Sequence, residues 1–250
     1  MKIPAKVWNK YIADLRKVSD EAAHKFQSYL FAHPAVDQAS TNALIDLAYS
    51  LATKYGEAAG ELAAQMYDAV AAASGLALEP AVLAETATID EAAKAVVGTL
   101  KTGNPDIVSD AVGRLVKMAG VDTTMQNAIR DGAEWAWIPR GETCAFCIAL
   151  ASRGFQTASK AQLKGGHAEH IHANCDCTYF VRHDSTSTVE GYDPDEYLDM
   201  YYDNDAHSSK GRINAMRRKF YAENSEEINE QKRANYAKRQ ERESSAAELS

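Results

Sequence analysis

Hydrophobic residues recur every three or four positions through the first part of the chain. The first stripe predicts a helix that ends at His33, because the residue before Pro34 avoids the helical region of backbone space. A second stripe predicts a longer helix that starts between Ser40 and Asn42 and stops at Gly75. The members of the two stripes are Val7, Tyr11, Leu15 and Val18, then Leu44, Leu47, Leu51, Tyr55, Leu62 and Met66.

Two glycines lie on the second predicted helix, four residues apart. Gly56 and Gly60 have the spacing of a membrane dimer motif, but their neighbours are polar. The pair therefore predicts close packing against another helix of a soluble protein.

The stretch that follows, residues 75–88, contains a proline and has little periodicity, and we interpret it as a linker. Thr88 and Glu91 then have the spacing of a capping box, which predicts a helix through Leu100.

Further capping signals predict two more helices. Asn104 and Pro105 open one that runs to Gly120, and Thr123 or Thr124 caps a last one through Arg130. Residues 1–131 are thus predicted to form an all-helical scaffold. This part of the chain carries no phosphate-binding loop and no Ser-His-Asp order.

Composition is compatible with a folded protein outside the membrane. The chain has 250 residues, of which 46% are hydrophobic, and this is enough to bury a core. It shows no N-terminal secretion signal, and its apolar runs are too short to cross a bilayer. We therefore expect no membrane partner and a reducing cytosol, where clustered cysteines bind metal more often than they form disulfides.

Charge is unevenly distributed around the net value of −8. Residues 184–209 hold eight acidic residues and no lysine or arginine. From Lys210 to Glu243 ten Lys or Arg residues face six Glu, a balance of +4. We predict an acidic linker over 184–209, followed by a charged, basic tail over 210–250 that is helical or disordered and orders on a partner.

All four cysteines and three histidines fall within residues 143 to 177. A Cys-x-x-Cys turn and a Cys-x-Cys pair can converge on one tetrahedral ion, so we predict a structural Zn²⁺ in a module over residues 132–183. Trp135 and Trp137 are expected to pack in the core beneath it. The candidate metal ligands are Cys144, Cys147, His172, Cys175 and Cys177.

Several other interpretations of the cluster compete with a closed zinc site. The thiols could be free, and His167 and His170 could be exposed loop residues. A zinc deaminase needs its His-x-Glu before the cysteine pair, whereas here His167 follows Cys147. A metal-dependent nuclease could use His170 or His172 with Asn174, and a simple nucleic-acid-binding finger is a further rival.

The two cysteine motifs resemble a known family. The runs RGETCAFC, from Arg140, and HANCDC, from His172, are similar to the C-terminal signature of phage minor head proteins related to protein F of phage Mu, in the version found in phages of Gram-positive bacteria. The resemblance implies a virion component that is present in the host cytoplasm during assembly and enters the head near the portal. It implies portal and capsid proteins as partners, and no catalysis. Independently of the resemblance, the positive balance of the tail makes packaged DNA a candidate partner of residues 210–250.

The prediction as a whole is a mainly α protein. It combines a helical N-terminal scaffold, a small zinc-stabilised Cys/His module of α+β type and a charged tail. The function predicted from the resemblance is that of a structural minor capsid protein in phage head morphogenesis. The alternative is a zinc-scaffolded nuclease or another DNA-processing enzyme.

Overall fold

The computed structural model describes residues 1–140, 143–159, 177–230, 233–234 and 236–237. The chain is mainly helical, as predicted. Its helices are α1 (Ala5–Ala32), α2 (Gln38–Ala73), α3 (Ile89–Leu100), α4 (Pro105–Arg130), α5 (Ala145–Ala151), α6 (Pro194–Tyr202) and α7 (Ser209–Glu223). Its strands are β1 (Lys2–Ile3), β2 (Glu134–Ile138), β3 (Gln156–Thr157), β4 (Thr178–Arg182) and β5 (Thr188–Val189).

The first four helices form a bundle in which α4 packs against both α1 and α2. The amide of Gln27 donates to the carboxylate of Asp106 over 2.6 Å, so the end of α1 lies beside the start of α4. The core between these helices contains Phe26, Leu44 and Val112, all fully buried, together with many alanines. Small side chains allow the helix axes to approach closely, which explains the alanine-rich sequence of α2.

Local capping signals set most helix ends where the sequence predicts them. The first helix ends before His33, and Thr88 and Glu91 form the predicted capping box. Asn104 caps α4 by accepting a hydrogen bond from the backbone N–H of Asp106. The start of α2 differs by a few residues, because Asp37 rather than Ser40 is its N-cap.

The predicted break at Gly120 is wrong, since α4 continues through it to Arg130. The hydroxyl of Thr123 donates to the carbonyl oxygen of Ala119 over 2.8 Å, so this threonine bonds within the helix and caps nothing. Gly120 is a contact residue: a Cβ atom there would lie 3.1 Å from the carbonyl oxygen of Ala59. The glycine thus lies where α2 and α4 approach each other closely.

The predicted linker over residues 75–88 has no helix or strand, but it is bound along α4. The backbone N–H of Val82 donates to the side-chain oxygen of Asn127, and that of Ala84 donates to the hydroxyl of Thr123, both over 3.0 Å. The guanidinium of Arg130 donates to the carbonyl oxygens of Glu79 and Pro80. Side chains of α4 therefore replace the missing strand or helix partners of this segment.

The close packing predicted for the glycines of α2 is confirmed. A Cβ atom at Gly56 would lie 3.1 Å from Cγ2 of Thr86 and 3.3 Å from Cβ of Ala119. One at Gly60 would lie 3.2 Å from Oγ1 of Thr123. The partners are thus α4 and the extended segment together.

A three-stranded antiparallel sheet, ordered β3-β2-β4, packs against the bundle. A second, parallel pair joins β1 to β5, with Lys2 opposite Thr188 and Ile3 opposite Val189. Residues of the predicted acidic linker therefore pair with the start of the chain. The division at residues 131, 183 and 209 stays a prediction. Among the described residues, no helix is both long enough and apolar enough to cross a membrane.

Candidate functional site

The sheet places its aromatic side chains on two opposite faces. Side chains alternate along a strand, so Trp135 and Trp137 of β2 share one face with Tyr179 of β4, whereas Ala136 and Phe180 lie on the other. The first face packs against the second half of α4 and against α5, and the second face packs against α1 and Val189. Both faces are buried, which confirms the predicted core role of the two tryptophans.

Tyr179 is the centre of the aromatic face. Its ring meets those of Trp135 and Trp137 edge to face, with centroids 4.4 and 4.7 Å apart. Burial raises the pKa of the Tyr179 phenol far above its ordinary value. Its hydroxyl and the indole N–H of Trp137 are buried and have no hydrogen-bond partner within the described part of the chain.

Three of the predicted metal ligands lie at the edge of this face. Cys144 is the N-cap of α5, Cys147 lies in the first turn of that helix, and Cys177 directly precedes β4. Cys147 is 1% exposed and Cys177 is 6% exposed, and both belong to the cluster that contains Trp137. The fold therefore brings the two halves of the cysteine pattern, thirty positions apart in the sequence, to one region.

The remaining predicted ligands, His172 and Cys175, lie outside the described residues, as do His167 and His170. Within the ranges that are described, no group of three or more His, Cys, Asp or Glu side chains is arranged to hold a metal ion. Cys144, Cys147 and Cys177 consequently do not make a site by themselves. Their thiols suit zinc chemically, and a closed site needs ligands from residues 160–176.

A polar network that the sequence did not reveal joins the sheet to the bundle. The phenol of Tyr67 on α2 donates to Asp131 over 2.7 Å, and Arg130 donates to both oxygens of that carboxylate. These hydrogen bonds, that from Arg130 first, hold the pKa of Asp131 below its ordinary value. The ring of His183, just after β4, meets that of Tyr67 edge to face, and burial lowers the pKa of the imidazole.

Asp122 of α4 carries a carboxyl group with a raised pKa. Burial, followed by repulsion from Glu91, raises the pKa of its carboxyl to about 6. Its charge also acts on the Tyr179 phenol. A buried carboxyl with a raised pKa can serve as an acid or base, but a structural carboxyl at a helix crossing has the same property.

The tail is folded back onto the body along α7. The guanidinium carbon of Arg212 lies 4.3 Å from the ring centroid of Tyr202, and Lys219 forms an ion pair with Asp203 over 2.7 Å. No residue of α7 is buried. Arg212 and Lys219 are seven residues apart, which places both cations on one face of a helix. This spacing is the sequence signal for their contacts with Tyr202 and Asp203.

Comparisons with known proteins give one match. The family model described as VG15 protein matches residues 2–204, which include the bundle, the sheet and both cysteine motifs. Neither the curated proteins nor the solved structures give a match. The matched range covers most of the 250 residues, so the chain belongs to the VG15 protein family, a family of viral, phage-encoded proteins.

Proposed function

We propose that the chain is a structural minor capsid protein of a tailed phage, which enters the head near the portal at low copy number. The family match over residues 2–204 is the observation that carries this proposal, because it covers the whole body of a chain from a viral family. The resemblance of the two cysteine motifs to phage minor head proteins supports the same function. Portal and capsid proteins are the proposed partners, and the virion is the proposed location.

The fold supports a structural role through the way its parts are joined. The first strand pairs with β5, and Tyr67, which is bonded to Asp131, contacts the ring of His183 just after β4. The extended segment over 75–88 is held along α4 by side-chain hydrogen bonds. Such connections make a body whose surfaces keep a constant relative position, as assembly into a shell requires.

Zinc has a defined place in this proposal. Cys144 and Cys147 at the start of α5, with Cys177 before β4, would hold the ion together with His172 or Cys175. With four protein ligands, such an ion would act as a structural cross-link with no place left for a reacting water. It would join α5 to the sheet at the edge of the aromatic cluster, where the connecting chain is long.

Mass spectrometry of particles released from an induced host tests the proposal directly. We expect peptides of this chain in DNA-filled heads, at a small fraction of the copy number of the major capsid protein. A phage in which the gene for this chain is deleted should produce few or defective heads. Wild-type protein supplied in trans should restore the formation of normal heads. Absence of the chain from both filled heads and head precursors would contradict the proposal.

The alternative, a metal-dependent nuclease, is tested on two residues that lie outside the described part of the chain. We expect Glu169→Gln and His170→Ala to leave head assembly intact, and the purified protein to cleave no DNA when divalent metal is added. Cleavage that persists through purification and disappears in either variant would favour the enzyme.

A further inference from the structure

Helix α7 has two faces with different electrostatic environments. Successive residues of an α-helix are rotated by about 100°, so positions seven apart share a face and positions two apart lie on nearly opposite sides. Arg212 and Lys219 are seven apart and face the body, where Tyr202 and Asp203 neutralise or cover them. We call this side the inner face of α7.

The outer face of α7 comprises Lys210, Asn214, Arg217, Arg218 and Tyr221. Its three cations are exposed, and none of them forms an ion pair in the part of the chain that the structure describes. No Asp or Glu stands three or four positions from any of the three along the helix. Elsewhere the helices pair such cations, as in Lys10 with Asp14 and Lys25 with Glu21.

Uncompensated positive charge at one place matters in a chain whose net charge is −8. Like charges on one helix face repel each other, and the acidic residue that pairs with a cation of α7, Asp203, lies on the inner face. A polyanion would approach this face and be repelled by the rest of the surface. The arrangement thus selects both the kind of partner and the side on which it binds.

We propose that the outer face of α7 binds the phosphate backbone of double-stranded DNA without sequence preference. Lys210 and Arg218 are about 12 Å apart along the helix axis, which spans several phosphates of one strand. Two adjacent guanidinium groups can each donate a pair of hydrogen bonds to phosphate oxygens. The face carries no aliphatic residue that could anchor a protein interface. This inference rests on the proposed function, because a protein within the head would meet the packaged DNA.

The test is DNA binding by the full chain, measured by fluorescence anisotropy with a 30-base-pair duplex over a range of salt concentrations. We expect the double variant Arg217→Ala/Arg218→Ala to bind at least about ten-fold more weakly at 50 mM salt. Its slope of log affinity against log salt should become shallower by about 1.8, since two phosphate contacts are lost. Melting curves should match the wild type, because both side chains are exposed.

The matched control is Lys219→Ala combined with Arg212→Gln, which removes the same charge from the inner face. We expect this variant to retain the salt slope of the wild type within about 0.5. Equal losses in the two variants would show that only net charge matters and would overturn the assignment to one face. An unchanged affinity in the outer-face variant would also overturn it.

Two further outcomes separate this inference from its rivals. Equally strong, outer-face-dependent binding to polyglutamate would assign the face to an acidic protein surface and overturn the DNA proposal. Incorporation into heads is scored separately by mass spectrometry of particles. The particles could contain the chain although the outer-face variant leaves its DNA affinity unchanged. This result would support the capsid function and contradict the DNA-binding inference alone.

Discussion

The helical bundle and the sheet are stabilised in different ways. In the bundle, the buried contacts combine alanines with Leu and Val side chains, and the ends of α2, α3 and α4 are set by capping residues within a few positions of each end. In the sheet, β2 and β4 are forty residues apart in the chain, and their contacts are aromatic. The stability of the bundle therefore depends on close approach of its helices. The stability of the sheet depends on bringing together two strands that are joined by a long segment of chain.

Removal of the predicted zinc should produce the largest effect and should strike the sheet side first. Structural zinc can contribute on the order of 10 to 16 kcal/mol of apparent binding free energy. We expect one zinc per chain by elemental analysis, and its loss in Cys147→Ser. Hydrogen exchange should then increase over residues 135–183 while α2 and α3 remain protected.

If the purified protein contained no zinc, the sheet would not differ from the bundle in needing a metal ion for its stability. Folded protein that is purified under reducing conditions, contains no zinc and has four titratable thiols would contradict the metal site. Because thiolate and imidazole ligands must be deprotonated, we also expect zinc release to become easier as the pH falls.

Truncation of one large buried side chain in each region is the next largest change. Trp137 in the sheet and Phe26 in the bundle are both almost completely buried. We expect Trp137→Ala and Phe26→Ala each to lower the free energy of unfolding by about 3–5 kcal/mol in urea titrations followed by circular dichroism. Exchange should increase around β2 and β4 in the first variant and in α1 in the second.

The control for both is Val97→Ala, because Val97 is 41% exposed. Its effect should stay within about 0.5 kcal/mol. A loss below 1 kcal/mol for Trp137→Ala would show that the aromatic face is not a cohesive core.

A methyl group added at a helix crossing tests the bundle alone. Gly120→Ala places Cβ 3.1 Å from the carbonyl oxygen of Ala59, and we expect a loss of about 1–3 kcal/mol. Gly98→Ala is the matched change on α3, where the new methyl group meets nothing within 4 Å. Its higher helix propensity should stabilise the protein by about 0.5–1 kcal/mol. Similar gains in both variants, measured by urea titration, would mean that the crossing at Gly120 is loose.

Truncation after Asp205 should have the smallest effect on stability. It removes α7, which has no buried residue and contacts the body through Arg212 and Lys219. An exposed ion pair adds little to stability, and the partly buried Arg212 packs on a tyrosine, Tyr202, that is itself exposed. We therefore expect Tm to fall by about 2–4 °C in scanning calorimetry, with a clear loss of DNA binding. A fall above about 10 °C would show that the tail belongs to the core of the fold.

Helices whose ends are encoded locally could be predicted from the sequence alone. The capping box of Thr88 with Glu91, the Asn104 cap and the stop before Pro34 each act within a few residues, so a pattern can detect them. The buried state of Trp135 and Trp137 was also predictable. The two cysteine motifs predicted a phage protein, and the family match agrees at that level, while the minor head function stays a proposal.

Features that depend on contacts between distant residues could not be predicted and appear only in the folded structure. A glycine such as Gly120 often ends a helix, but here α4 continues through it. The absence of a Cβ atom at Gly120 makes room for the nearby backbone of Ala59. The segment over 75–88 has no periodic pattern. Its backbone N–H groups are bonded by side chains of α4, such as Asn127, and not by a helix or strand partner. The pairing of β1 with β5 and the two faces of α7 likewise follow from long-range packing, which no local pattern encodes.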